Sequence, residues 1–159
     1  MTPLVARALA TGEPVYLHPG QLVAADKPVV VSTVLGSCVA VCLWDERLKI
    51  GGINHYLLPV APRGSESPRY ADTAIPQLVA QVRALGSMNG SLVAKVFGGA
   101  CVIEAFAHHR EQLGQRNIEV ARTLLAKAGV KVVAEDVGGR RGRKLFFSLA
   151  DGSVAVKAL

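Results

Sequence analysis

"STVLGSCVAVCLWD" spans Ser32 to Asp45, and its two halves ask for different structures. Val39 to Trp44 is an unbroken apolar run of strand length, the pattern of a buried strand. Just ahead of it stands Gly36-Ser37-Cys38. A buried strand needs no Gly-Ser-Cys step at its mouth, whereas a nucleophile does, because a thiol has to be presented at a turn beside a base. Seventeen residues after Cys38 comes His55, in "GGINHYLLP".

The elements follow outward from this stretch. Val29 to Leu35, rich in β-branched residues, reads as the strand leading into the turn. Val15 to Pro28 reads as an earlier strand, punctuated at Pro19-Gly20. Asp45-Glu46-Arg47 makes a hairpin to Leu48-Lys49-Ile50. After a kink at Gly51-Gly52 the chain stays extended from Ile53 to Leu58, where Pro59 stops it. Ala61 to Asp72 is polar, with Gly, Ser and Pro, and has the composition of a loop or mobile flap. Ile75, Leu78, Val79, Val82 and Leu85 fall at helical spacing, with Asp72 or Thr73 as cap and Gly86 as stop. Leu92 to Phe97 is a strand, and Gly98-Gly99-Ala100 turns the chain. Ile118, Ala121, Leu124, Leu125 and Ala128 mark a second amphipathic helix, closed by Gly129. "VKVVAEDV", "KLFFSL" and "SVAVKA" are three further strands. The total is roughly eight strands and two helices, not regularly interleaved, which disfavours a doubly wound parallel sheet. The expected fold is α+β: a strand-rich layered sandwich with the helices packed on an outer face.

The 159 residues fit one domain, 1–159, in which residues 1–15 carry no motif and read as flexible. Half the residues are hydrophobic and 19% are charged, as in a globular protein. The apolar runs are far short of a membrane span, and the first residues lack the apolar core of a signal peptide. Cys38, Cys42 and Cys101 are an odd count, so reduced thiols in a cytoplasmic protein are expected, with no membrane insertion. The net charge is +6, and its densest cluster is Gly138 to Lys144, with Arg140, Arg141, Arg143 and Lys144. Aromatic residues are few and no nucleic-acid motif appears, so a solvated turn or docking to an acidic protein surface is favoured over nucleic acid.

A thiol with an ordinary pKa is mostly protonated at neutral pH and needs a base. His55 is the candidate, since a hairpin brings its segment beside that of Cys38. Gly36 allows a tight turn, and the backbone N–H groups around Ser37 and Cys38 face a developing oxyanion. A third polar group is needed to fix the imidazole, and Ser32 and Thr33 lie just upstream. Asn54 is a candidate to hold a substrate amide, with a plain strand-edge role as the alternative. Cys42, inside "VAVCLW", reads as a buried small hydrophobe. The competing constellation is a zinc site drawn from Cys38, Cys42, His55, Cys101 and His108-His109. It lacks a Cys-x2-Cys pair and has irregular spacing. His18 reads as a loop residue, and His108-His109 as lining a polar surface.

"LGSCVAVCLWD", "KIGGINHYLLP", "RYADTAI", "KVFGGA", "GQRNI", "EDVGGRRGRKLFF" and "DGSVAVK" occur in this order. Together they resemble the CheD family, the chemoreceptor glutamine deamidases of bacterial chemotaxis, from about Leu17 to Lys157. The resemblance implies a cytoplasmic thiol amidohydrolase, similar to toxin-type cysteine deamidases, that converts receptor glutamines to glutamate. It needs no metal or organic cofactor. It implies Cys38 as nucleophile and His55 as base. The family's third residue is a threonine six positions before the cysteine, where this chain has Ser32 followed by Thr33. Ser32 is therefore expected to orient His55 ahead of Thr33. The implied partners are methyl-accepting chemoreceptors and, in species that have it, a CheC-type phosphatase. A thiol protease, a transglutaminase and a non-catalytic adaptor are the competing readings.

Overall fold

Val39–Asp45 is apolar on both faces because it lies in the middle layer of three. The computed structural model describes residues 2–88, 90–102 and 107–159, the side chains of 107–112 excepted. Among them are α1 (Pro3–Thr11), β1 (Val15–Tyr16), β2 (Leu22–Ala25), β3 (Val30–Leu35), β4 (Val39–Asp45) and β5 (Ile50–Asn54). There follow α2 (Ala71–Ala84), β6 (Leu92–Gly98), α3 (Ala107–Lys127), β7 (Lys131–Val137), β8 (Arg143–Ser148) and β9 (Val154–Ala158). The strands form a four-stranded sheet, β1-β3-β8-β9, and a five-stranded sheet, β2-β5-β4-β6-β7. The α+β sandwich expected from the sequence is the fold observed.

Two cores result. Val39, Val41 and Leu43 of β4 face α2 and α3, where they meet Ile75, Leu78, Ile118 and Leu125. Ala40, Cys42 and Trp44 point the other way, into the space between the sheets, with Val31, Leu35, Leu145 and Phe147. Alternation along one strand thus feeds both cores, which is why its sequence shows no polar face.

The described residues hold nine strands and three helices, one of each more than the pattern suggested. The added helix is α1, in the stretch read as flexible. Thr2 caps it by accepting from the Val5 N–H, Gly12 closes it at φ 76°, and Val5 and Ala8 enter the inter-sheet core. The Ala61–Asp72 segment has the irregular backbone expected as far as Tyr70, with Ala71 and Asp72 already in α2, and it is tied down. Asp72 accepts from the Ala61 N–H, and Gln77 donates to Glu66 O. Gly51-Gly52 does not kink the chain, since both lie within β5. Their role is close approach: a Cβ on Gly52 would stand 2.7 Å from Val23 O and 2.8 Å from Leu78 Cδ1.

The basic turn is divided in its roles. Arg143 is only 8% exposed and ties three segments together. Its Nε donates to Asp136 (3.1 Å), Nη1 to Gly98 O (3.2 Å) and Nη2 to Gly138 O (2.7 Å). Lys144 lies over the Phe146 ring, and Arg141 donates to Leu159 O.

Gly52→Ala is expected to push β2 or α2 away and to destabilise the protein by about 1–3 kcal/mol, the usual cost of overpacking. Urea unfolding of the variant checks this, and an unchanged midpoint would contradict it.

Candidate active site

β4 and β5 pair antiparallel, with Cys42 opposite Ile53. The same register runs past the strand ends, because Val39 and Tyr56 exchange both backbone hydrogen bonds, Val39 N–H to Tyr56 O (3.2 Å) and Tyr56 N–H to Val39 O (3.0 Å). Ala40 therefore stands opposite His55. Cys38, one step further along the same face, is the diagonal neighbour of His55, a placement within side-chain reach. Both side chains look toward the four-stranded sheet. Cys38 is half-buried and packs against the inter-sheet core, while His55 is 2% exposed. The backbone of His55 is pinned by the Pro19-Gly20 turn: its N–H donates to Gln21 O (3.1 Å) and its O accepts from the Gly20 N–H (2.8 Å).

The hydroxyl that meets the imidazole is Thr33's. Its Oγ1 is 2.7 Å from His55 Nδ1 and 2.7 Å from Leu17 O. A hydroxyl has one proton, and the Leu17 carbonyl can only accept. Thr33 therefore donates to Leu17 and accepts from Nδ1–H of His55. That fixes the tautomer and leaves Nε2 as a bare lone pair. Nε2 is buried and has no hydrogen-bond partner among the described residues. Burial also pulls the His55 pKa from its ordinary 6.5 down to about 4, so the ring is neutral at neutral pH. The expectation that Ser32 would orient His55 does not match this geometry. β3 alternates, Thr33 points inward and is fully buried, and Ser32 lies on the other face of the strand.

The Gly36-Ser37-Cys38 turn is held through its carbonyls. Gly36 O accepts from Ala100 N–H (2.9 Å) and Cys38 O from Gly99 N–H (2.8 Å). Ser37 O accepts from Asn117 Nδ2 (3.0 Å). The peptides are trans, so N–H and C=O of each unit point in opposite directions. The N–H of Ser37 is thereby turned away from the β6–α3 connection, and that of Cys38 away from α3. Glycine is required behind the turn: a Cβ on Gly98, at φ 107°, would collide with Cys38 O.

Asn54 lies apart from this face. It is fully buried and its Oδ1 accepts from the Val41 N–H (2.9 Å), so its side chain serves as a strut between β4 and β5. Cys42 is buried in the inter-sheet core, where desolvation pushes its thiol pKa far up and leaves it inert. No disulfide joins Cys38, Cys42 or Cys101, and no group of three or more His, Cys, Asp and Glu side chains converges among the described residues. His18 is exposed, edge-on to Tyr16. The reading of His108-His109 as surface residues falls outside the described side chains. No helix among the described residues is long and apolar enough to cross a membrane.

Sequence reasoning missed three contributors: the Leu17 carbonyl, the Tyr56 hydroxyl and Asn117. Asn117 had a signal, since it is a polar residue on the apolar stripe that carries Gly114, Ile118 and Ala121.

A neutral, oriented imidazole on the same face as a half-buried thiol, at the mouth of a two-sheet sandwich, defines a candidate cysteine–histidine site. The family model described as "CheD chemotactic sensory transduction" matches residues 57–158. The probable chemoreceptor glutamine deamidase CheD 1 of Anaeromyxobacter dehalogenans is 50% identical over 145 residues, 91% of this chain and 84% of that protein. The probable chemoreceptor glutamine deamidase CheD of Sulfurimonas denitrificans is 43% identical over 143 residues, 89% of this chain and 92% of that protein. The chain belongs to the CheD family. Among solved structures, the Bacillus licheniformis hypothetical protein YfiH aligns with a TM-score of 0.49 at 16% identity, over 72% of this chain and 49% of that one.

The depressed pKa of His55 has a measurable consequence. The unfolded chain takes up the proton near pH 6.5, whereas the folded protein resists it until about 4. The stability tied to neutral His55 is therefore complete above the unfolded value and is lost as pH falls through that window. Between about pH 7 and about pH 5 the loss is on the order of 2 kcal/mol. Urea unfolding at both pH values is expected to show a larger acid loss in the wild type than in His55→Gln. Equal losses would mean that the imidazole is not held neutral by burial.

Proposed function

We propose that the protein is a cytoplasmic glutamine deamidase of chemoreceptors that works by thiol catalysis with Cys38 and His55. The observation that carries this is the tautomer of His55. A ring whose Nδ1–H is spent on Thr33 presents Nε2 as a base on the face that Cys38 shares. The relatives' names supply the substrate class, a glutamine side chain of a chemoreceptor.

In this reading, His55 Nε2 takes the Cys38 thiol proton as Sγ attacks the carboxamide carbon of the glutamine. The carbonyl oxygen becomes an oxyanion near the N–H groups of Ser37 and Cys38. The tetrahedral adduct collapses, the C–N bond breaks, and the imidazolium gives its proton to the departing ammonia. A water then loses a proton to Nε2 and attacks the thioester. Glutamate leaves and the thiol is restored. Thr33 keeps the ring in one tautomer and steadies the cation that forms. Gly36 anchors the turn through its carbonyl, which accepts from the Ala100 N–H. Asn54 acts through the β4–β5 backbone and not as a substrate ligand. No step calls for a metal or an organic cofactor. A CheC-type phosphatase is the further partner carried by the family resemblance.

The test is mass spectrometry of a chemoreceptor cytoplasmic fragment incubated with the protein, read as glutamine converted to glutamate. Cys38→Ala is expected to reduce conversion to background, while Cys42→Ala keeps substantial activity. Comparable loss in both, with circular dichroism unchanged, would remove Cys38 from the nucleophile's role. Thr33→Val should cost at least about tenfold in kcat, part of the roughly 10²–10⁴-fold that a positioned acid–base supplies. Ser32→Ala should cost little. The reverse ranking would return the orienting role to Ser32.

A further inference from the structure

The two segments that carry Cys38 and His55 separate just where they are needed. Their backbone ladder ends at the Val39–Tyr56 pair, and the next N–H that could continue it, that of Leu58 opposite Ser37, goes to Arg69 O instead (3.2 Å). Beyond that point Asn117 bridges the segments. Its Nδ2 donates one hydrogen to Ser37 O (3.0 Å) and the other to Leu57 O (2.9 Å). The backbone carbonyl of Asn117 accepts from the Tyr56 hydroxyl at 2.5 Å. Asn117 and Tyr56 are both fully buried. α3 comes close enough to do this because Gly114 and Gly99 meet backbone to backbone, where a Cβ on Gly99 would stand 2.9 Å from Gly114 O.

The chemistry of the bridge explains the residue type. One planar nitrogen with two hydrogens suits two converging carbonyls. Aspartate in its place would set oxygen against oxygen, and serine would have a single proton to share between them. Stability alone does not select asparagine here. Its Oδ1 is buried and has no hydrogen-bond partner among the described residues, which is a cost. Ser37 O and Cys38 N–H belong to one planar peptide, so holding the carbonyl sets the direction of the N–H beside the nucleophile. Leu57 O and Tyr56 lie within two residues of His55.

We infer that Asn117 is a positioning residue for the reaction, fixing both the Ser37–Cys38 peptide and the separation of the Cys38 and His55 segments. The inference rests on the reading of those two residues as nucleophile and base. A displacement of about 1 Å at such a pair is worth roughly 100-fold in rate.

The experiment uses the full chain with Asn117→Ala, and Arg83→Ala as comparison. Arg83 ties α2 to the opposite end of α3 by donating to Ala128 O (2.8 Å), so its loss loosens the same helix away from the site. Two readouts are needed. One is kcat and KM on a chemoreceptor fragment. The other is the pH profile of Cys38 alkylation by iodoacetamide, followed on the Cys38 peptide by mass spectrometry, which requires no turnover. Asn117→Ala is expected to lower kcat about 100-fold with KM changed less than about threefold, and to move the alkylation profile to higher pH. Arg83→Ala should move neither, even where its melting temperature falls as far. An Asn117→Ala profile and kcat no different from those of Arg83→Ala would overturn the inference. Should Asn117→Ala fail to fold, Tyr56→Phe removes one hydroxyl from the same bridge. A kcat loss of about tenfold with a shifted profile supports the inference, and an unchanged variant overturns it. Absence of deamidation by the wild type would sink the proposed function, while the alkylation comparison would still decide the role of Asn117.

Discussion

The oxygen of one threonine joins the two sheets at the candidate site. Thr33 projects from β3 of the four-stranded sheet, donates to the carbonyl just past β1, and accepts from the histidine just past β5 of the other sheet. With a single proton to give, it imposes a direction on the whole array. The carbonyl must receive it, so the imidazole must donate, and the far ring nitrogen must be bare. Sandwich packing, side-chain alternation and imidazole chemistry meet in this one atom. A buried histidine with both nitrogens idle would be a costly core residue. With Nδ1 satisfied, the remaining cost is concentrated at Nε2, on the face that Cys38 shares.

The rest of the structure keeps this array in place from both sides. The Pro19-Gly20 turn grips the backbone of His55, and Gly98, Gly99 and α3 close in behind Cys38. Arg143 reaches from β8 to Gly98 O, so the buried arginine of the basic turn supports the same turn of backbone from below. What composition presents as a run of positive charge is therefore in part internal scaffolding. Such a guanidinium is suited to the task because its fork reaches a carboxylate and two carbonyls at once.

Much of this was legible in the chain, and the gaps have physical causes. The strand pattern around Val39–Trp44, the helices carrying Ile75 and Ile118, and the hairpin that sets the segments of Cys38 and His55 side by side came from periodicity and from turn chemistry, both of which are local. The helix at Pro3–Thr11 was missed because it is short and only Val5 and Ala8 are buried, which leaves little apolar rhythm to detect. Gly51-Gly52 was taken for a kink because glycine signals either freedom or close approach, and the approaching atoms of Val23 and Leu78 lie far off in sequence. Ser32 and Thr33 are adjacent hydroxyls, and the choice between them depends on which face of β3 turns inward. Strand register decides that, and one residue of slip inverts it. Asn117 and Leu17 act through contacts between distant segments, which no window of sequence contains.

The order of strands also determines when the site can exist. β3 has only the two-residue β1 beside it until β8 is made, and β8 lies more than a hundred residues further along the chain. During synthesis the β4–β5 hairpin can close early, and its outer strand edges can be covered as β6 and β7 appear. Thr33 has no firm position at that stage, so His55 lacks its orienting partner. The tautomer of His55 is thus unset for most of the chain's assembly. It is set only when β8 pairs with β3 and completes the four-stranded sheet, so the order of the array follows the order of the strands.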